Sequence, residues 1–236
     1  MKYLFTIVFT CCITGGYCQT AFEVNRVGIN NYGSITFYDG TGTKNEIPYS
    51  NISGSPFWNE DWKSAELYNK QNVLLGTYKA KLNLATNEIY YKTEDEVLAA
   101  EPNIVTTIIF FNKNDRTHKN VFTNTAPYFY EGQEREKYAE VLNTGETQLL
   151  KITELELSTK DSLFGTFKRH YFKPLVKYLL YQKNRTYTLK KLNDDAVLEH
   201  IETPKAYTQW IIDNRINFKR EEDIIRFLNY YNSLQH

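Results

Sequence analysis

Cysteine is missing from almost the whole chain. Cys11, Cys12 and Cys18 lie in the first eighteen of 236 residues, and none occurs in the 218 that follow. Past Cys18 the sequence therefore allows no disulfide, no thiol nucleophile and no zinc site built on thiolates. Histidine is nearly as scarce. His118, His170, His200 and His236 are widely spaced and form no His-x3-His pair, so no metal site is expected. No Gly-x-Ser-x-Gly elbow exists, which disfavours a serine hydrolase of that type. No glycine-rich phosphate loop is found either, which disfavours nucleotide binding. No acidic cluster has EF-hand spacing. There is no internal repeat, no low-complexity stretch and no linker rich in Pro, Gly or Ser. Formal net charge is +0, so nothing global points to nucleic acid or to a membrane surface.

The first eighteen residues predict a secretory signal peptide. Lys2 supplies the positive start, Tyr3 to Thr14 the apolar run, and Gly16 and Cys18 the small residues at −3 and −1 of a cut before Gln19. A bilayer span takes about 20 apolar residues, so no transmembrane span is expected in the mature chain. Cys18 is not expected to carry lipid, because bulky Tyr17 precedes it. Export combined with an absence of disulfides fits a bacterial envelope, periplasmic or associated with the outer membrane. The expected organisation is a signal peptide over 1–18, a β-rich domain over 19–190, and a helical tail over 191–236 packed on the β part.

Aromatic residues make up 15% of the chain, mostly Tyr (19) and Phe (14), which favours strands. From Phe22 to Leu189 short β-prone runs alternate with turn residues. Gly33 to Asp39 reads as a strand leading into Gly40-Thr-Gly42. Leu74–Leu84 and Glu88–Lys92 flank Ala85-Thr-Asn87, a hairpin in which Asn87 adopts positive φ. Asn103 to Phe111, nearly all apolar or β-branched, is expected to be a strand buried on both faces. A second hairpin joins Tyr138–Leu142 to Gln148–Leu157 through Asn143-Thr-Gly145. Leu150 and Ile152 differ in parity from Leu155 and Leu157, which predicts a bulge near Thr153-Glu154. A third hairpin turns at Lys183-Asn184.

After Leu192 the apolar period lengthens to about 3.6 residues. Asn193 caps a helix with Val197, Leu198 and Ile201 on one face. Thr203-Pro204 opens a second with Tyr207, Trp210, Ile211 and Asn214. Glu221, Glu222 and Asp223 open a third, with Ile224, Ile225, Phe227, Leu228 and Tyr231 as its stripe. The expected fold is α+β: a twisted antiparallel β-meander or half-barrel followed by a three-helix C-terminal cap.

The hairpins Tyr78–Tyr91 and Tyr138–Lys151, the Gly54-Ser-Pro-Phe57 loop and the closing Tyr230-Tyr-Asn232 resemble a family of exported Bacteroidota proteins with no known activity. The resemblance covers most of the mature chain. It implies the export address and the architecture, and brings no site residues.

The sharpest local anomaly is Lys160–Lys191, with nine bases against the single acid Asp161 and seven interleaved aromatics. Such a stretch can hold a polyanion by neutralisation and stacking, with Lys168, Arg169, Lys173 and Lys177 as the candidate ligand-binding residues. It can equally be a hairpin with a solvated lysine face, neutralised by Asp194, Asp195, Glu199 and Glu202 of the tail. Trp58 and Trp62, four apart, form either an aromatic platform for a sugar or partner, or a lid on one sheet edge. Glu88, Glu131, Glu134 and Glu140 could supply the paired carboxylates of a glycan hydrolase, a pair that leaves no fixed spacing. Asp161-Ser-Leu163 has the form of an O-glycosylation site. Weighing these, the sequence favours a non-enzymatic envelope protein that binds an envelope polyanion, a glycan or an envelope protein, with no cofactor and no catalytic residues assigned. A carboxylate-dependent hydrolase and a structural or assembly accessory are the alternatives.

Protein recovered from the envelope fraction should start at Gln19 and carry no lipid adduct by intact-mass measurement. A diacylglyceryl group on Cys18 would overturn that expectation.

Overall fold

The computed structural model describes residues 33–38, 41–100, 103–112, 115–125, 137–161, 168–202 and 204–235. The segments 1–18 and 162–167, with Glu131, Glu134 and His236, lie outside them, as do the side chains of residues 115–118, His118 among them.

The chain is β-rich with three C-terminal helices, an α+β fold. Strands β1 (Ser34–Tyr38) and β2 (Lys44–Pro48) form a separate hairpin. The main sheet holds β3 (Ile52–Ser53), β4 (Lys63–Tyr68), β5 (Leu74–Asn83), β6 (Glu88–Lys92), β7 (Val97–Ala100), β8 (Thr107–Asn112), β9 (Asp115–Asn124), β10 (Tyr138–Val141), β11 (Gln148–Asp161), β12 (Lys168–Gln182) and β13 (Arg185–Leu189). Its order runs β7-β6-β5-β4-β8-β9-β10-β11-β12-β13. Two features interrupt a plain antiparallel meander. The chain leaves the β7 edge and returns to pair β8 with the free side of β4, and short β3 runs parallel to the start of β12.

The hairpins form where turn chemistry requires them. Asn87 has φ 60°, and Lys183 and Asn184 have φ 48° and 60°, the paired positive values of a two-residue hairpin turn that matches strand twist. Asn103–Phe111 does not make a strand buried on both faces. In β8, Ile108 and Phe110 are buried while Ile109 and Phe111 are half-buried, so one face meets the core. Nor does β11 bulge near Thr153. Its register with β12 is unbroken from Gln148↔Tyr181 to Asp161↔Lys168. The change of parity instead reflects two cores. Leu150 and Ile152 pack with Ala139 and Leu179 on one face, while Leu155 and Leu157 follow the parity of Leu149 on the other.

The face bearing Leu149 carries most of the burial. Over β4 to β9 it gathers Leu67, Leu82, Ile89, Ile108, Phe110 and Phe122. Over β11 to β13 it receives the helices α1 (Asp194–Leu198), α2 (Thr208–Asp213) and α3 (Glu221–Ser233). Leu149, Leu180 and Leu189 meet Val197, Ile224, Phe227, Leu228 and Tyr231 there. Full burial of such a side chain is worth about 1.5–3 kcal/mol. Asn193 caps α1 by accepting from the Ala196 N–H at 3.1 Å, as its position predicts. Pro204 opens a short 3-10 turn over Pro204–Tyr207 that leads into α2.

The sheet rolls without closing into a barrel. The Tyr138 N–H donates to Asn87 Oδ1 at 2.9 Å, which joins the start of β10 to the β5–β6 turn. Tyr49, in the 3-10 turn Tyr49–Asn51, lies between Phe57 and Phe172 at 6.1 Å from each. It thereby joins β12 to the loop that covers β5 and β6.

One polar clasp fixes the last helix to the sheet. Asn232 of α3 accepts from the Thr147 N–H at 3.0 Å and donates to the Thr144 and Thr147 carbonyls at 2.9 and 2.8 Å. Gly145, at φ +118°, lies directly beneath its amide, where a Cβ would collide with it. Gly145→Val should cost roughly 2–3 kcal/mol, combining backbone strain with displacement of Asn232. Asn232→Ala should cost a similar amount by leaving the buried Thr147 N–H unpaired. In urea titrations the double variant should lose less than the two single losses added. Additive losses would mean that turn and helix are not coupled.

Candidate functional site

Beyond Ile152 and Lys177, β11 and β12 continue as a two-stranded arm. Its residues 154–161 and 172–177 pair only with each other among the described residues, while β3 meets β12 at His170 and Tyr171. Residues directly opposite in an antiparallel pair share a face. Arg169, Lys173 and Lys177 therefore share one face with Glu154 and Glu156, while Lys168 points to the other with Asp161. The four candidate bases do not form a single patch. At about 3.4 Å per residue, Arg169 and Lys177 stand roughly 27 Å apart.

Neutralisation comes from within the arm. Lys177 Nζ meets Glu154 Oε1 at 3.5 Å, and Lys137 meets the other oxygen of Glu154 at 3.6 Å. Lys173 stands opposite Glu156, and Lys168 opposite Asp161. Of the tail acids considered for this role, Glu202 pairs with Lys183 at the far end of β12. Sequence reasoning looked to the tail because acids are dense there. The cross-strand partners were legible only through the register. Between the charges, Tyr171, Leu175 and Val176 are exposed, apolar groups of unusual size for a solvated strand pair.

The tryptophans separate as well. Trp58 packs into the core between Phe110 and Phe122, 5.0 Å from each ring, with Lys63 Nζ 5.0 Å from its own centroid. Trp62 is half-buried on the opposite sheet face, with the amines of Lys92 and Lys81 at 4.6 and 5.4 Å. The pair does not form a common platform, because the bends over residues 58–61 break the strand parity that would otherwise put residues four apart on one face.

Three other places hold chemistry-bearing groups. Glu88 accepts from the Tyr90 and Thr86 hydroxyls at 2.6 and 2.7 Å on the face that carries Lys81. Glu140 accepts from the Asn120 amide at 2.9 Å and lies on the opposite face, paired with Lys151. These two carboxylates thus do not face each other across a cleft. Near Glu140, Glu221 takes a hydrogen bond from the Tyr178 hydroxyl at 2.7 Å and an ion pair from Lys151 at 2.8 Å. A groove of about 660 Å³ lies between α1 and α2, floored by Leu198, Ile211, Ile216 and Phe218 and rimmed by Asp194, Asp195, Glu199 and Lys205. His200, adjacent to it, stacks on Tyr187 at 3.9 Å, a packing role. Among the described residues no group of three His, Cys, Asp or Glu is placed to hold a metal, and no helix is long and apolar enough to cross a membrane.

Comparison with protein-family models, curated proteins and solved structures finds no match, so each role rests on geometry.

Burial, followed by the Glu221 hydrogen bond and the nearby acids, raises the ionisation of Tyr178 above its usual value. Burial pushes Tyr91 up to about 12. A raised phenol contributes stability that is full below about pH 10 and is lost as pH climbs, because the unfolded chain ionises first. Tyr178→Phe should cost about 1 kcal/mol at pH 8 and should flatten the fall in urea midpoint between pH 9 and pH 11. An unchanged alkaline slope in the variant would show that Tyr178 does not contribute to it.

Proposed function

We propose that this is a non-enzymatic exported envelope protein that holds a partner with the β11–β12 arm. The observation carrying the reading is the arm itself. It runs past its lateral neighbours and leaves Tyr171, Leu175 and Val176 exposed within a ladder of opposed charges. Tyr171 and Leu175 share one face of the arm with Lys173 between them, while Val176 lies on the other, so apolar contact area is offered on both faces. Lys177, Lys173 and Lys168 already meet or stand opposite Glu154, Glu156 and Asp161, although Arg169 stands opposite Lys160, and this largely opposed charge favours a folded protein partner over a bare polyanion. The partner surface should combine apolar side chains with acids, since β12 contributes Lys168, Arg169, Lys173 and Lys177 against those three acids of β11. The placement of Glu88 and Glu140 on opposite faces weighs against a hydrolase built on that pair.

Photo-crosslinking benzoylphenylalanine in place of Leu175 or Val176, in intact cells, should yield a discrete protein adduct. The same group at exposed Lys70 or Lys219 should not. Equal yields at all four positions, or none at 175 and 176, would overturn the reading. Sedimentation of wild-type protein with phosphatidylglycerol vesicles at low salt, abolished by Gln at the four bases, would replace the protein partner with a polyanion.

A further inference from the structure

Lys81 is the most deeply buried cationic side chain among the described residues, at 8% exposure. It sits on β5 opposite Tyr90, beneath the loop that carries Phe57 and Trp62. Its amine stands 4.6 Å from the Phe57 centroid and 5.4 Å from that of Trp62. Lys92, whose amine is 4.6 Å from the same indole, adds a second positive charge. Among the described residues Lys81 makes no hydrogen bond and no ion pair, yet its nitrogen is not sealed from the surface. Its neighbour Lys79 instead donates to Ser64 Oγ at 2.8 Å.

A buried ammonium that makes no direct ion pair is costly, and giving up its proton relieves that cost. The charged groups around it divide. Glu60 and Asp61 favour the ammonium, as do the two ring faces, whereas burial, the largest influence, and Lys92 favour the free amine, and the net direction is downward. A neutral amine held between aromatic walls is a nucleophile for carbonyl carbon.

The geometry points to Lys81 as an imine-forming lysine that captures small aldehydes of apolar or aromatic character between Phe57 and Trp62. The amine lone pair forms the C–N bond while the carbonyl oxygen takes up a proton, giving a carbinolamine. A second proton, taken from solvent, lets that oxygen leave as water and gives a protonated imine, with no change of oxidation state. The restored positive charge then faces the two rings, which attract cations. This capture needs neither the arm nor its partner.

The test is trapping on the full folded chain with propionaldehyde and cyanoborohydride at pH 7, and with pyridoxal 5′-phosphate and borohydride, followed by peptide mass mapping. Lys79 is the internal control, on the same strand and face. Lys81 should be labelled several-fold faster than Lys79, because its burial between the rings and the like charge of Lys92 favour the free amine. Its rate should also level off at lower pH. Lys92→Met, with an unchanged unfolding midpoint, should slow propionaldehyde labelling of Lys81 several-fold by removing the like charge. If Lys92→Met slows only pyridoxal phosphate labelling, Lys92 merely tethers the phosphate and the proposal fails. Labelling of Lys81 no faster than Lys79, or only in urea, would also overturn it.

Discussion

Fourteen consecutive backbone pairs join β11 to β12 without a break in register, and the rest of the molecule is arranged around that ladder. Because strand side chains alternate strictly, an unbroken register fixes the face of each residue along the whole pair. Near its base both faces are buried. Leu149 and Leu180 meet the helices, while Leu150, Ile152 and Leu179 meet Ala139. Farther out, Phe172 reaches Tyr49 and so ties the ladder to the loop over β5 and β6. Beyond its lateral neighbours, the same ladder becomes the arm.

The helices depend on the ladder in turn. Each is short, and α1 and α2 have five and six residues, too few to persist alone in water. They hold because Leu149, Leu180 and Leu189 supply an apolar floor, and because Asn232 fastens α3 to the Thr144–Thr147 turn. Tyr178 and Lys151, also on the ladder, meet Glu221 in the first turn of α3, where an acid favours the helix dipole. Polar fastening therefore acts at both ends of one helix, with the apolar contact between them.

Charge follows the same logic on a larger scale. The Lys160–Lys191 segment looks strongly basic when read along the chain, yet several of its lysines meet acids across the strand pair, and Lys183 meets Glu202 of the tail. Lys177 with Glu154 is the direct case, and Lys173 opposite Glu156 the next rung. Exposed pairs of this kind contribute little to stability, of order 0.2–1 kcal/mol each. Their effect is to leave Tyr171, Leu175 and Val176 as the distinctive groups on the arm.

What the sequence determined by itself was local. Asn87, Lys183-Asn184 and Gly145 announced turns because few residues accept positive φ, and Asn193 announced a helix start because its side chain replaces a missing backbone partner. The apolar stripes of α1 and α3 and the α+β class followed from periodicity alone. Parity also carried information. Leu150 and Leu155 did signal a change of face, but only the tertiary structure decided that two cores, rather than a bulge, account for it. The same holds for Trp58 and Trp62, assigned to opposite faces by the path of one loop, and for the basic residues, whose neutralising partners were set by register. Lys81 was invisible in the sequence, one lysine among many on a strand. Its burial depends on Phe57 and Trp62, brought over β5 by the returning loop, and no spacing along the chain encodes a contact made by that return.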